Sequence, residues 1–153
     1  MQNKRSKRAV DFFYSGYNCA QSVACAYCDV ADLSAEKAYR AAAGLGGGVG
    51  GMRLTCGALT AAAMIAGLRK GDYDPDNKEK KTELYVVVSA IGEAFIKKFG
   101  SSCCYDLLTK AGVDFSAQPK ERTEEYYRER PCGNFIEYAS LLIEEKVLNG
   151  KIE

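Results

Sequence analysis

Residues 79–99 read EKKTELYVVVSAIGEAFIKKF, a run in which apolar residues recur three and four positions apart. That spacing is typical of one face of a long α-helix and does not fit the alternation of a β-strand. The apolar positions of this face are Leu84, Val87, Val88, Ile91, Phe95 and Phe99. Residues 86–88 favour a strand by themselves, but helix formers flank them on both sides. Gly100 follows as a C-cap, so the run predicts a helix that ends at Phe99.

The same periodicity continues along most of the chain, interrupted by residues that start or stop helices. Asn18, Ser34, Thr55 and Thr123 are placed as N-caps, and Pro131 opens the last helix. The predicted helices span residues 4–14, 19–30, 35–43, 56–69, 79–99, 103–111, 124–129 and 131–148. No repeat or linker divides the 153 residues. We therefore predict an all-α fold, a single-domain bundle of about six to eight helices over residues 1–153.

One glycine-rich loop interrupts this bundle at residues 44–51 (GLGGGVGG), where six of eight residues are glycine. A helix or strand would lose too much backbone entropy there. The run formally matches G-x-G-x-x-G, but it follows a predicted helix, so we predict no dinucleotide site. Two uses stay open: a nest of N–H groups around an anion or sulfur atoms, or a tight crossing of helices. The glycines expected beside a bound group are Gly46, Gly47, Gly48, Gly50, Gly51 and Gly57.

Composition removes several classes of function. The 21 basic and 20 acidic residues leave a net charge of +1, which provides no overall field for nucleic acid. Histidine is absent, which excludes a Ser-His-Asp triad, a Cys-His dyad, a histidine-containing zinc site and a CxxCH haem attachment. The longest uncharged apolar segment, residues 54–68, is shorter than the ~20 residues that span a bilayer. With no clear signal peptide, we expect a cytoplasmic protein that does not span a membrane.

Seven cysteines are the main chemical resource of the chain. An odd number, in a chain long enough to build its own core, favours reduced thiols or thiolate ligands over a disulfide framework. Five cysteines fall at predicted helix starts, two of them after the serines at 101–102. Unpaired N–H groups and the helix dipole favour a thiolate at such positions. The five are Cys19, Cys56, Cys103, Cys104 and Cys132, and the alternative is that each is a small buried hydrophobic residue.

The other two cysteines, Cys25 and Cys28, form C-A-Y-C about two turns inside the second predicted helix. Residues i and i+3 share a helix face, so a vicinal pair is sterically feasible. A thioredoxin-type motif, however, accompanies a βαβ pattern, which this sequence lacks. We therefore predict that both side chains pack in the core.

Four segments of the chain carry a resemblance to a known family. They are residues 14–23 (YSGYNCAQSV), the glycine loop running into residues 56–58 (CGA), residues 99–100 (FG) ahead of Cys104, and Cys132. In this order they resemble the C-GCAxxG-C-C family of redox-active proteins, and the resemblance covers nearly the whole chain. It implies signature cysteines at Cys19, Cys56, Cys104 and Cys132, with Cys103 as an extra neighbour.

The signature cysteines are 37, 48 and 28 residues apart, so four different helices each contribute one sulfur. This spacing differs from the paired CxxC of zinc ribbons. Four thiolates at one point repel each other unless a cation, proton or disulfide neutralises them. An iron–sulfur cluster and a dithiol/disulfide pair both meet this need. We predict that the four sulfurs converge beside the glycine loop as catalytic or metal-ligating groups, with Cys56 the best single candidate.

These observations predict a redox-active protein, an oxidoreductase if it is an enzyme, that acts by thiol/disulfide exchange or electron transfer. Among cofactors, an iron–sulfur cluster is favoured over zinc, and neither haem nor a dinucleotide is expected. A structural zinc module and a non-catalytic helical interaction protein are the alternatives. The sequence does not specify the redox partner, while alanine-lined helix faces and the tyrosines at 126–127 allow a homodimer interface.

Overall fold

The computed structural model describes residues 3–116 and 118–152 of the chain. Over these residues it contains eight α-helices and no β-strand, which confirms the all-α prediction. The helices are α1 (Lys4–Tyr14), α2 (Cys19–Ala26), α3 (Ala35–Ala42), α4 (Gly57–Lys70), α5 (Lys78–Phe99), α6 (Cys104–Lys110), α7 (Glu124–Glu129) and α8 (Cys132–Leu142). A 3₁₀ turn, Ala43–Leu45, extends α3, and a π-helical segment, Ile143–Leu148, extends α8. None of these helices is long and apolar enough to cross a membrane.

Helices α2 and α4 lie at the centre of the bundle. Helix α2 packs against α1, α3, α4 and α8, and α4 also packs against α5 and α8. Small side chains permit this close packing, because four alanines of α4 are buried completely. They are Ala58, Ala61, Ala62 and Ala66. The starts of α2, α4 and α8 are thereby held close together.

Several predicted helix ends are confirmed by their caps. The Asn18 side chain accepts a hydrogen bond from the Gln21 N–H at 2.8 Å, and the Gln21 side chain accepts one from the Asn18 N–H. Ser34 and Thr123 also cap their helices, and Gly100 ends α5 with φ of +90°. Reciprocal capping at Asn18 fixes the first turn of α2, which is the turn that carries Cys19.

Two predicted boundaries are wrong in the first half of the chain. Helix α2 ends at Ala26, not at residue 30, because the Cys28 carbonyl accepts the N–H groups of Ala31 and Leu33 in a turn. Helix α4 starts at Gly57 with Cys56 as its N-cap residue. Thr55 does not cap it, because Thr55 instead pairs with Cys103 in an isolated antiparallel bridge.

Two further corrections concern α6 and α8. Helix α6 starts at Cys104 with Cys103 as its N-cap residue, since the Ser101 hydroxyl accepts the Cys103 N–H before the helix begins. Helix α8 is α-helical only to Leu142, and its last turns widen into the π-helical segment. The tyrosines at 126–127 pack within the chain, because the Tyr127 ring lies 5.3 Å from the Phe13 ring, centroid to centroid.

Candidate functional site

The four signature cysteines reach one cavity from the starts of four helices. Cys19, Cys104 and Cys132 are the first residues of α2, α6 and α8, and Cys56 is the N-cap residue of α4. All four line a cavity of about 470 Å³. The structure thus brings together the sulfurs that the sequence placed on four separate helices.

The glycine loop forms part of the wall of this cavity. The predicted glycines that line it are Gly46, Gly47, Gly48, Gly50, Gly51 and Gly57. At Gly48, where φ is +68°, a Cβ would lie 2.7 Å from the Cys104 Cβ and 2.6 Å from the Leu54 nitrogen. A Cβ on Gly57 would lie 3.3 Å from the Cys19 Cβ. Side chains at these two positions would push the cysteines aside, so glycine is required there.

The N–H groups of the loop are largely used inside the loop itself. Those of residues 49–54 all donate to loop carbonyls, for example Leu54 N–H to the Gly48 oxygen at 2.8 Å. These six donors are therefore not free to surround an anion or sulfur atoms. Of the two uses left open by the sequence, the tight crossing of helices is the one that the contacts favour, because a Cβ on Gly57 of α4 would lie 3.2 Å from the Ala20 nitrogen of α2.

Cys19 differs from the other cavity sulfurs in its ionisation. A hydrogen bond from the Cys132 thiol lowers the pKa of Cys19 to about 7, although burial opposes the shift. The positive charges of Arg122 and Arg130 lower it further. Half of the Cys19 side chains are therefore thiolates near neutral pH, and a thiolate is the nucleophilic form of cysteine.

The pKa values of the other three signature cysteines are raised. For Cys132 the causes are its hydrogen bond to Cys19 and then burial. For Cys56 and Cys104 burial is the largest cause, and the charge of Cys19 adds to it. The prediction that all helix-start sulfurs favour the thiolate is therefore wrong for these three. Desolvation raises the pKa values of Cys56 and Cys104, whereas the contact with Cys19 and then desolvation raise that of Cys132.

Basic side chains surround the sulfurs, and sequence reasoning missed them. Arg53, Lys120, Arg122 and Arg130 line the cavity. The Arg53 guanidinium donates to the Cys104 sulfur at 3.7 Å and to the Ser116 carbonyl at 2.5 Å. The only signal in the sequence is a charged run ahead of Pro131, which looks the same as an ordinary solvated helix face.

The remaining cysteines lie outside the cavity wall. The Cys103 thiol donates to the Arg53 carbonyl at 3.3 Å. Cys25 and Cys28 are buried in the core, which confirms the packing prediction, but Cys28 lies beyond the end of α2 rather than inside it. Burial raises the pKa of Cys25 to about 11, so this thiol is protonated at neutral pH. All seven cysteines are free thiols in this structure.

The donor set does not fit a metal centre in this arrangement. Within residues 3–116 and 118–152, no three cysteine or carboxylate side chains are placed to hold a metal ion. The Cys104 sulfur instead accepts a hydrogen bond from the Arg53 guanidinium at 3.7 Å. A four-cysteine iron–sulfur or zinc site instead needs all its thiolates directed at one ion or cluster.

A comparison with known protein families shows to which family this chain belongs. The family described as "Putative redox-active protein (C_GCAxxG_C_C)" matches residues 17–146. The chain belongs to this family. The C_GCAxxG_C_C match spans all four signature cysteines, and it confirms the resemblance that the motifs predicted. No curated protein and no solved structure matches the chain.

Proposed function

We propose that this C_GCAxxG_C_C protein performs thiol–disulfide exchange, with Cys19 as the attacking thiolate and Cys132 as the resolving thiol. The observation that carries the proposal is that Cys19 and Cys132, the first residues of the packed helices α2 and α8, line one cavity. The Cys132 thiol is also the largest cause that lowers the pKa of Cys19 to about 7. An attacking thiol of pKa near the ambient pH is the optimum for this reaction. The redox character of the family supports the same chemistry.

The exchange proceeds in two balanced steps. The Cys19 thiolate attacks one sulfur of a substrate disulfide, forms a mixed disulfide and releases the other sulfur as a thiolate. Cys132 then loses its proton to the released thiolate, attacks the Cys19 sulfur and expels the second substrate thiolate. Two electrons have passed from the cysteine pair to the substrate, and a Cys19–Cys132 disulfide remains. An external dithiol restores the pair by the reverse sequence.

The residues around Cys19 and Cys132 affect how this pair reacts. Arg122 and Arg130 stabilise the Cys19 thiolate by their charge. Cys56, the best candidate from the sequence, is buried and protonated, so we assign it to the cavity wall rather than to the attack. An exchange pair also needs reductant, and with an odd number of cysteines this favours a reducing compartment such as the cytoplasm.

Single serine variants test the assignment of roles. The full-length protein is treated with bis(2-hydroxyethyl) disulfide, and each cysteine peptide is identified by mass spectrometry. We expect the wild type to lose two titratable thiols and to form a Cys19–Cys132 disulfide. C132S should accumulate the mixed disulfide on Cys19, whereas C19S should form neither product.

Cys103→Ser is the matched control, because Cys103 lies at a helix start but outside the cavity wall. It should behave as the wild type. The proposal fails if C19S still forms an internal disulfide at the wild-type rate, or if C132S shows the mixed disulfide on another cysteine instead of Cys19.

A further inference from the structure

The cavity above the cysteines is lined by positive charge without a balancing carboxylate. Among the described residues of its wall, four are basic and none is acidic. The basic residues are Arg53, Lys120, Arg122 and Arg130. The Cys19 thiolate offsets one of these charges. The net charge of the whole chain is only +1, so the positive charge of this wall is a local feature.

Two of the guanidinium groups carry buried donors without partners. Arg53 Nε and Arg122 Nη1 are both buried, and neither has a hydrogen-bond acceptor among the described residues. Such a group costs about 1–3 kcal/mol when it is left unsatisfied. None of the three cavity arginines forms an ion pair within that part of the chain. Their positive charges therefore face the cavity without a carboxylate partner, and the two unpartnered donors make a shift of these guanidinium groups toward an anion favourable.

Two of the arginines pack against the same aromatic side chain. The guanidinium carbons of Arg122 and Arg130 each lie 4.5 Å from the centroid of the Tyr126 ring. Two cations packed on one ring repel each other, and an anion bound in the cavity that both arginines line would reduce this repulsion. The same two arginines are the ones whose charge acts on Cys19. An anion bound to them lies next to the attacking sulfur.

We infer that the exchange partner of Cys19 is a small disulfide that carries oxyanion groups, carboxylate or phosphate, held by Arg53, Arg122 and Arg130. This inference rests on the proposed function and names its substrate class. A guanidinium group presents paired donors that match both oxyanions. The cavity volume of about 470 Å³ lies in the range of small-molecule sites, roughly 300–1,000 Å³.

The test compares small symmetrical disulfides that differ in charge. The probes are 3,3′-dithiodipropionate (anionic), bis(2-hydroxyethyl) disulfide (neutral) and cystamine (cationic). The rate of mixed-disulfide formation at Cys19 is measured in C132S, which traps the product. Each rate is divided by the rate with a free cysteine peptide, which removes intrinsic differences between the probes. We expect the anionic probe to exceed the neutral one by about tenfold or more, and the cationic probe to fall below it.

The ratio of anionic to neutral rates has a specific advantage. Any change in the ionisation of Cys19 alters both rates equally and cancels in the ratio. The double variant R122Q/R130Q should reduce the ratio severalfold, while Arg53 and Lys120 retain the remainder, with the fold checked by circular dichroism. The control is Arg128→Gln, which removes one positive charge at a residue of α7 outside the cavity wall and is also compared with R122Q alone. The bis-phosphate ester of bis(2-hydroxyethyl) disulfide is a further probe of small size, and the faster of the two anionic probes identifies the oxyanion that the arginines hold.

The outcomes separate this inference from the proposed function. If the neutral probe does not react at Cys19, the proposed function fails and the inference fails with it. If the neutral probe reacts but the anionic probe shows no advantage, only the inference is overturned. It is also overturned if R128Q lowers the ratio as much as R122Q/R130Q, because the effect would then reflect the overall charge of the protein.

Discussion

Replacement of Cys132 measures directly how the attacking sulfur is activated. The hydrogen bond from Cys132 is the largest cause that lowers the pKa of Cys19 from its ordinary value of 9.0 to about 7. C132A removes the donor, whereas C132S keeps a hydroxyl donor and removes only the resolving sulfur. We expect C132A to raise the pKa of Cys19 toward 9 and C132S to leave it much nearer 7. Arg122 and Arg130 are present in both variants, so their effect is the same in each.

The expected ratio of the reaction rates of C132S and C132A follows from the fraction of Cys19 that is a thiolate in each variant. At pH 7 a thiol of pKa about 7 is about half ionised, and a thiol of pKa 9.0 is about 1% ionised. This loss of about fiftyfold is partly offset, because a more basic thiolate is the better nucleophile. With a Brønsted slope of about 0.4–0.5, a pKa difference of about two returns a factor of about six to ten. C132A should therefore react about five to eight times more slowly than C132S at pH 7.

The order of the two reaction rates is expected to reverse as the pH rises. At pH 10 Cys19 is almost fully ionised in C132S and mostly ionised in C132A, so the greater nucleophilicity makes C132A the faster variant. The assay follows bis(2-hydroxyethyl) disulfide at Cys19 by peptide mass spectrometry from pH 5 to pH 10. If both variants titrate at the same pH, or if their rates do not cross, the hydrogen bond from Cys132 is not what activates Cys19.

Two predictions concern the framework around the site and are measured by chemical denaturation. Gly48→Ala should cost at least about 1 kcal/mol more than Gly50→Ala, because both have a positive φ but only at Gly48 would the new Cβ overlap backbone atoms; equal costs would contradict the steric reason. Tyr27→Phe should destabilise the protein by about 1.5–3 kcal/mol, because the single proton of the buried hydroxyl is shared between the Ser140 carbonyl at 2.9 Å and the Glu144 carboxylate at 3.2 Å. The rate at Cys19 should stay unchanged in this last variant, and a parallel loss of rate would show that the site depends on the α8 contact.

The helices were predictable where a local signal determines them. The Asn18 cap, the apolar face of α5 and its closing Gly100 act within one or two turns, and the structure confirms all three. The wrong boundaries depend on contacts between distant segments. Thr55 has the side chain of an N-cap, but its pairing with Cys103, 48 residues away, removes it from that role. Single-residue preferences carry no information about such pairing.

The site was predictable in its sulfurs and its glycines but not in its cations. The cysteines were found because helix starts and family motifs both point to them. Arg53 could not be found in this way, because its role depends on a positive φ of +59° and on contact with Cys104 across 51 residues. Arg122 and Arg130 flank Tyr126 in a short helical segment whose charge pattern resembles any exposed surface. Only the packing of that segment over the cavity makes them part of the site.

The contrast among the cavity cysteines shows which physical effect selects the nucleophile. Helix starts favour a thiolate by about 0.3–1 kcal/mol, up to about 2 kcal/mol when partly buried. Desolvation of a fully buried group can shift its pKa by about 3–5 in the opposite direction. A helix start is therefore too weak by itself, which explains why Cys56 stays protonated. The partly buried Cys19 overcomes its desolvation because the Cys132 thiol and two arginines are added to its helix start. The choice of nucleophile thus depends on what lies across the cavity from each sulfur.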